Sequence, residues 1–85
     1  MLHQLRIRPY YLGHILEGKK TFEVRKNDRD FQVGDKIRFL SLDDENYNTY
    51  IDSFPIPDYL ITYILSGSDG LSKDYVCLAI IADIN

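Results

Sequence analysis

A run of fourteen residues near the start of the chain, GKKTFEVRKNDRDF (18–31), carries eight charged side chains. Within it Glu23 and Arg25 are two positions apart, so on a strand their side chains leave the same face. A carboxylate beside a guanidinium can accept from and donate to a planar ligand such as a nucleobase. The spacing therefore predicts either a polar clamp at the mouth of a concave site or a solvated ion pair worth about 0–1 kcal/mol. The pattern leaves both interpretations open.

Basic residues on both sides of this pair could bind phosphate. Lys20 and Arg25 are predicted to meet phosphate or base acceptors, and Lys26 and Arg29 would add positive charge if they share that face. Lys20 follows a helix end, where the helix dipole also favours a cation for purely structural reasons. The predicted ligand-binding residues are Lys20, Glu23, Arg25, Lys26 and Arg29, with Gly18 as the structural residue of the motif.

The elements that hold these side chains follow from the spacing of apolar residues. His3, Leu5 and Ile7 alternate with polar residues, which indicates a strand with one buried face. Pro9 suits the first turn of a helix, apolar residues then recur at helical spacing, and Gly18 ends the helix. The sequence predicts a helix at residues 9–17, strands at about 3–8, 21–26, 36–42, 59–65 and 74–83, and a hairpin tip at 43–50.

These elements predict a mainly β (α+β) fold in one domain, residues 1–85. The expected architecture is a small antiparallel or mixed β-barrel of about five to six strands with one short N-terminal helix closing an end. A chain of 85 residues has too little buried surface to form two cores. The last strand, which is the most apolar, is expected to be central.

The composition narrows the possible classes of protein. No apolar run approaches the roughly 20 residues of a membrane span, and the first residues lack the apolar segment of a secretory signal, so we expect a cytoplasmic protein without a membrane partner. The single cysteine excludes a disulfide within the chain. His3 and His14 are isolated and are expected at the rim or surface, so the sequence predicts no metal site and no cofactor. It does not indicate an oligomeric state.

The net charge of −3 conceals an asymmetry between the two parts of the chain. Residues 1–38 contain nine basic and five acidic residues, whereas the remainder contains one lysine and eight acidic residues. The first segment is therefore +4 and the second −7. Either the molecule is dipolar, with a basic region that attracts a polyanion, or the segments interleave in space and cancel.

The charged run also resembles a known family. GKKTFEVR fits the Gly-x-Lys-x-x-Glu-x-Arg signature of ASCH domains, which belong to the PUA-like superfamily, through Gly18, Lys20, Glu23 and Arg25. KNDRDFQVGD after the motif, and TYIL followed by a glycine-containing loop and YVCLAI, also look like the small ASCH-type proteins of bacteria and their phages. SLDDENYNTYIDSFPIPD is the least similar part.

This resemblance implies a PUA-like barrel with a helix beside a cleft into which Lys20, Glu23 and Arg25 point. Such families are associated with RNA or modified-nucleotide recognition, and some ASCH proteins are amidohydrolases that deacetylate N4-acetylcytidine. In those enzymes a threonine usually matches Glu23 and acts with the motif lysine and a distant glutamate. Here the acidic residues near the last strands are Asp69 and Asp74.

Three hypotheses of function follow. The leading one is an RNA- or nucleotide-binding module in which Glu23 accepts from an exocyclic amine or orients Arg25. The second is an amidohydrolase on an N4-acylated cytidine, with Lys20 as base or nucleophile and Glu23 as proton shuttle. The third is a protein-interaction module that uses the acidic C-terminal half.

Overall fold

Five strands and one helix form the part of the chain that the computed structural model describes, residues 1–41, 56–67 and 69–84. In chain order they are β1 (Leu2–Ile7), α1 (Pro9–Leu16), β2 (Phe22–Lys26), β3 (Lys36–Ser41), β4 (Asp58–Ser66) and β5 (Tyr75–Asp83). The hairpin tip predicted at 43–50 lies outside the described residues. The predicted helix and strands are otherwise found within one or two residues of their expected bounds.

The strands form one mixed sheet in the order β1-β3-β4-β5-β2. β1 pairs with β3 in parallel, and the other neighbours are antiparallel. The sheet curls into a half-barrel with one short helix, which confirms the predicted mainly β fold class. β5 is an interior strand, but β4 is the central one, so the expectation that the last strand is central was one position off. β1 and β2 are the two edges.

The core lies on the concave side of this sheet. In β1 the alternation predicted from the sequence is observed, because His3, Leu5 and Ile7 are buried and the residues between them are exposed. From α1, Leu12 and Ile15 enter the same core, and the helix packs against β3. The helix is thereby fixed beside the start of β2, where the charged run begins.

Ion pairs join the basic and acidic parts of the chain across β3, β4 and β5. Lys36 Nζ lies 2.6 Å from Asp83 Oδ2, and Arg38 donates two hydrogen bonds to Asp58 at 2.9 and 3.0 Å. These pairs cancel two of the nine basic charges in residues 1–38. The basic residues of β1 and β2 lie on the two edge strands and take no part in these two pairs.

The described part of the chain contains no helix with the length and hydrophobicity needed to cross a bilayer.

Candidate ligand-binding cleft

A cavity of about 400 Å³ opens where the two edge strands of the half-barrel approach each other beside α1. Its lining residues are Arg6, Ile7, Arg8, Tyr11, Lys20, Phe22, Glu23, Val24 and Arg25. They come from β1, the residues after it, α1 and β2. We call this cavity the cleft. Its four basic and one acidic side chains give its lining a net charge of +3 at neutral pH.

The end of α1 places Lys20 at the cleft. Gly18 has a φ of +78°, a backbone conformation that glycine adopts without steric cost. Its N–H donates to Ile15 O at 3.0 Å, and the N–H groups of Lys19 and Lys20 both donate to His14 O, at 2.9 and 3.1 Å. This left-handed cap ends the helix and turns the chain toward β2. Gly18 of the motif therefore has a structural role, which is to end the helix.

The register of β2 against β5 turns Glu23 toward the core. Glu23 is opposite Leu78 and Arg25 is opposite Val76, both of which are buried core residues. Only 6 % of Glu23 is exposed, whereas Phe22, on the other face of β2, is 44 % exposed. The polar face of this strand is thus the inner one. A carboxylate at such a position requires hydrogen-bonding partners, since burial of an unpaired charge is costly.

Lys20 and Arg25 are those partners. Lys20 Nζ donates to Glu23 Oε1, and Arg25 Nε donates to Glu23 Oε2 at 2.7 Å. Lys20 Nζ also donates to Phe22 O at 2.7 Å, and Arg25 Nη2 donates to Arg6 O at 2.5 Å. One buried carboxylate therefore holds two cations at the wall of the cleft. We call this group the Lys20–Glu23–Arg25 cluster.

Both cations keep donors for a ligand. An ammonium has three N–H donors and a guanidinium has five. Two of each are used in the contacts between described residues, which leaves one on Lys20 and three on Arg25. Their side chains are 18 % and 25 % exposed, so these donors are reachable from the cleft. The cluster can therefore bind an acceptor-rich or anionic group.

An aromatic surface continues from the cleft over α1. Lys20 Nζ lies 5.6 Å from the Tyr11 ring centroid and 5.0 Å from that of Phe22. These three residues also line a second, shallower depression of about 440 Å³. Tyr10, His14 and Lys19 complete its lining. We call it the aromatic depression, and it shares one wall with the cleft.

The other residues predicted as ligand-binding lie outside the cleft lining. Lys26 ends β2 on the face opposite Glu23 and Arg25 and is exposed. Arg29 Nη1 donates to Gln4 O at 2.9 Å, so its side chain reaches across to β1. A role for either residue in ligand binding stays a prediction. Asp69 and Asp74 are the acidic residues near the last strands that were considered beside the distant glutamate of the ASCH amidohydrolases. Both are exposed and lie outside the cleft.

Sequence reasoning did not assign Arg6, Arg8, Tyr11 and Phe22 to the cleft. The alternation in β1 indicated that Arg6 is exposed, but its place beside β2 depends on a contact between distant segments. Phe22 could not be inferred, since an apolar residue opposite a charged one on a strand is ordinarily expected to face the core.

A second polar cluster lies inside the barrel, away from the cleft. His3, expected at the rim or surface, is buried with 4 % exposure, and its Nε2 lies 2.8 Å from Asp35 Oδ2. The Met1 amine and the Gln32 N–H each donate to Asp35 at 3.1 Å. The hydrogen bond with His3, more than any other contact, lowers the pKa of Asp35 from 3.8 to about 2. This cluster fixes the start of β1 against the turn before β3.

Among residues 1–41, 56–67 and 69–84, no group of three or more histidine, cysteine or acidic side chains is arranged to hold a metal ion.

A family model covers most of the chain. The model of a family described as "Domain of unknown function (DUF3850)" matches residues 2–80. The match includes both edge strands, α1 and every residue that lines the cleft. None of the curated proteins matches the sequence.

Proposed function

The chain belongs to the DUF3850 family, and from the geometry of the cleft we propose that it binds RNA or a modified nucleotide there. The observation that carries the proposal is the Lys20–Glu23–Arg25 cluster, in which one buried carboxylate presents two cations at a cavity of about 400 Å³. Small-molecule sites typically enclose about 300–1,000 Å³. The cavity is therefore large enough for a small ligand.

The chemistry of the lining restricts that ligand. The remaining N–H groups of Lys20 and Arg25 need acceptors, which phosphate oxygens, base carbonyls and ring nitrogens supply. A net charge of +3 favours an anion, and the side chains of Ile7, Tyr11 and Phe22 offer surface to a planar apolar group. A nucleotide combines all three properties in one molecule.

The geometry favours one of the two roles considered for Glu23. Its carboxylate is occupied by Lys20 on one oxygen and Arg25 on the other, and only 7 % of its side chain is exposed. We therefore assign it as a positioning residue that orients the two cations, in preference to a direct acceptor for an exocyclic amine.

The signature shared with ASCH domains supports a PUA-like ligand cleft in this protein. Within that group the geometry supports binding over hydrolysis. The Lys20 amine is engaged by Glu23 and by Phe22 O, and neither Asp69 nor Asp74 approaches it as a second acid. Amide hydrolysis on an N4-acylated cytidine stays as the alternative.

Calorimetric titration with cytidine monophosphate, N4-acetylcytidine and hexaribonucleotides tests the proposal. Lys20→Ala and Arg25→Ala should each weaken binding about 10- to 150-fold, since hydrogen bonds to charged groups contribute about 1.5–3 kcal/mol. Lys73→Ala is the matched control, because Lys73 is exposed and outside the cleft. For a hexanucleotide that neutralises two cations, the log–log dependence on salt should have a slope of about −1.4.

The variant Arg25→Lys distinguishes a loss of binding from a loss of folding. It keeps the charge but has a single nitrogen where arginine uses Nε for Glu23 and Nη2 for Arg6 O, so it should fold and bind with intermediate affinity. Equal affinities of the wild type and the cleft variants, or no binding of any probe by the wild type, would overturn the proposal. Chromatographic detection of cytidine from N4-acetylcytidine would replace it with the hydrolase alternative.

A further inference from the structure

We propose that the cleft and the aromatic depression together accept two successive nucleotides of single-stranded RNA, with the second base stacked on Tyr10. This inference rests on the proposed function and specifies its ligand as a chain of nucleotides in place of a free nucleotide. The two cavities are continuous, because Tyr11, Lys20 and Phe22 line both of them. A ligand that fills the cleft reaches this shared wall.

Tyr10 offers an aromatic surface beyond that wall. It is 71 % exposed although it lies on a helix that packs against the core. Its ring meets Tyr11 at 74° with centroids 5.4 Å apart and His14 at 88° with centroids 4.6 Å apart. Neither neighbour lies parallel to the Tyr10 ring, so no parallel stacking partner is present for it in these contacts. The two neighbours restrict its orientation.

Such an arrangement suits a nucleobase. Bases stack on exposed aromatic side chains whatever their sequence, because every base has a π-face. The contacts that restrict Tyr10 before binding reduce the conformational entropy lost on stacking. An apolar protein partner is disfavoured by the two lysines in the same lining.

Lys19 and Lys20 supply charge for the phosphate that would join the two nucleotides. Lys20 belongs to the shared wall, and the Lys19 side chain is 69 % exposed with a long contact of 3.8 Å to Glu17. Such an exposed pair is weak and can be exchanged for a phosphate. The depression thus combines a stacking surface with cations, as expected for single-stranded nucleic acid.

Fluorescence anisotropy with a labelled hexauridylate, combined with titration of uridine monophosphate, tests this inference. Tyr10→Ala should weaken hexauridylate binding about 5- to 150-fold, which corresponds to about 1–3 kcal/mol of stacking, and leave mononucleotide binding unchanged. Tyr10→Phe should restore the hexauridylate affinity. Tyr63→Ala is the matched control, since Tyr63 is 64 % exposed and lines neither cavity.

The outcomes separate this inference from the function on which it rests. If Lys20→Ala weakens both probes but Tyr10→Ala changes neither, the second position is refuted and the cleft remains. Equal losses in Tyr10→Ala and Tyr63→Ala would refute it as well. If the wild type binds neither probe nor the other nucleotides, the proposed function falls and this inference falls with it.

Discussion

Replacement of Glu23 by glutamine removes one negative charge without changing the shape of the side chain. The wild-type carboxylate accepts from Lys20 on one oxygen and from Arg25 Nε on the other, at 2.7 Å for the arginine. A glutamine amide has one acceptor oxygen and one NH₂ group. Because the two cations lie at different oxygens of the wild-type carboxylate, the glutamine oxygen can take the place of only one of them, and the NH₂ group then faces the N–H of the other cation.

The structure sets the size of the expected effect. A buried pair that loses one partner is destabilised by about 3–5 kcal/mol when the remaining charge has no access to water. Here the side chains of Lys20 and Arg25 are 18 % and 25 % exposed, so water can recover part of the loss. We expect Glu23→Gln to lower the free energy of unfolding by about 2 kcal/mol. For a chain of this length the corresponding decrease in Tm is about 8–16 °C.

Urea denaturation followed by circular dichroism measures this difference. Glu17→Gln is the matched control, because Glu17 makes contacts of 3.7 and 3.8 Å with His14 and Lys19 while 59 % of its side chain is exposed. Its replacement should cost about 0–1 kcal/mol. A double-mutant cycle of Glu23→Gln with Lys20→Met should give a coupling energy of about 0.5–3 kcal/mol. Losses for Glu23→Gln and Glu17→Gln that agree within about 0.5 kcal/mol would refute the buried-carboxylate argument.

Other positions give independent tests of stability. The pKa of Asp35 is lowered to about 2, so the roughly 2 kcal/mol of stability that this shift represents is fully present above pH 3.8 and is lost as the pH falls through 2. The difference in the free energy of unfolding between wild type and Asp35→Asn should therefore shrink between pH 3.8 and 2. A constant difference would contradict the assignment. Gly18→Ala should lower the free energy of unfolding by about 1–2 kcal/mol because of its positive φ. Gly13→Ala, inside α1 with open space around it, should raise it by up to about 1 kcal/mol in the same urea denaturation experiment. Gly67→Ala places a Cβ 2.2 Å from the carbonyl oxygen of Ser72 and should destabilise by about 1–3 kcal/mol or more, so an unchanged Tm would contradict this backbone contact.

The elements of the fold could be predicted because their patterns are local. The period-two burial of β1, the proline at the start of α1 and Gly18 after its end are all visible within a few residues of sequence. The order of the strands is not local. It depends on pairings between distant segments, and this is why hydrophobicity placed β5 at the centre where β4 lies.

The grouping of Lys20, Glu23 and Arg25 could be predicted from the sequence, but the direction in which these side chains face could not. The alternation in β2 correctly put Glu23 and Arg25 on one face, yet whether that face is solvated or inward depends on its register with Leu78 and Val76 of β5. His3 illustrates the same limit. It was expected at the rim or surface although it is in phase with the buried Leu5 and Ile7, because its partner Asp35 is 32 residues away and no sequence pattern pairs them.

The position of the cleft follows from how the half-barrel ends. Edge strands expose backbone groups that a closed barrel would pair. Here two guanidinium groups from β2 and the residues after it reach the carbonyls of β1, Arg25 to Arg6 O and Arg29 to Gln4 O. An arginine side chain spans a greater distance than a backbone hydrogen bond between paired strands. These contacts therefore connect the two edge strands but leave a gap between them. Arg25 therefore helps set the width of the opening that it also lines, because direct pairing of β1 with β2 would remove the cleft.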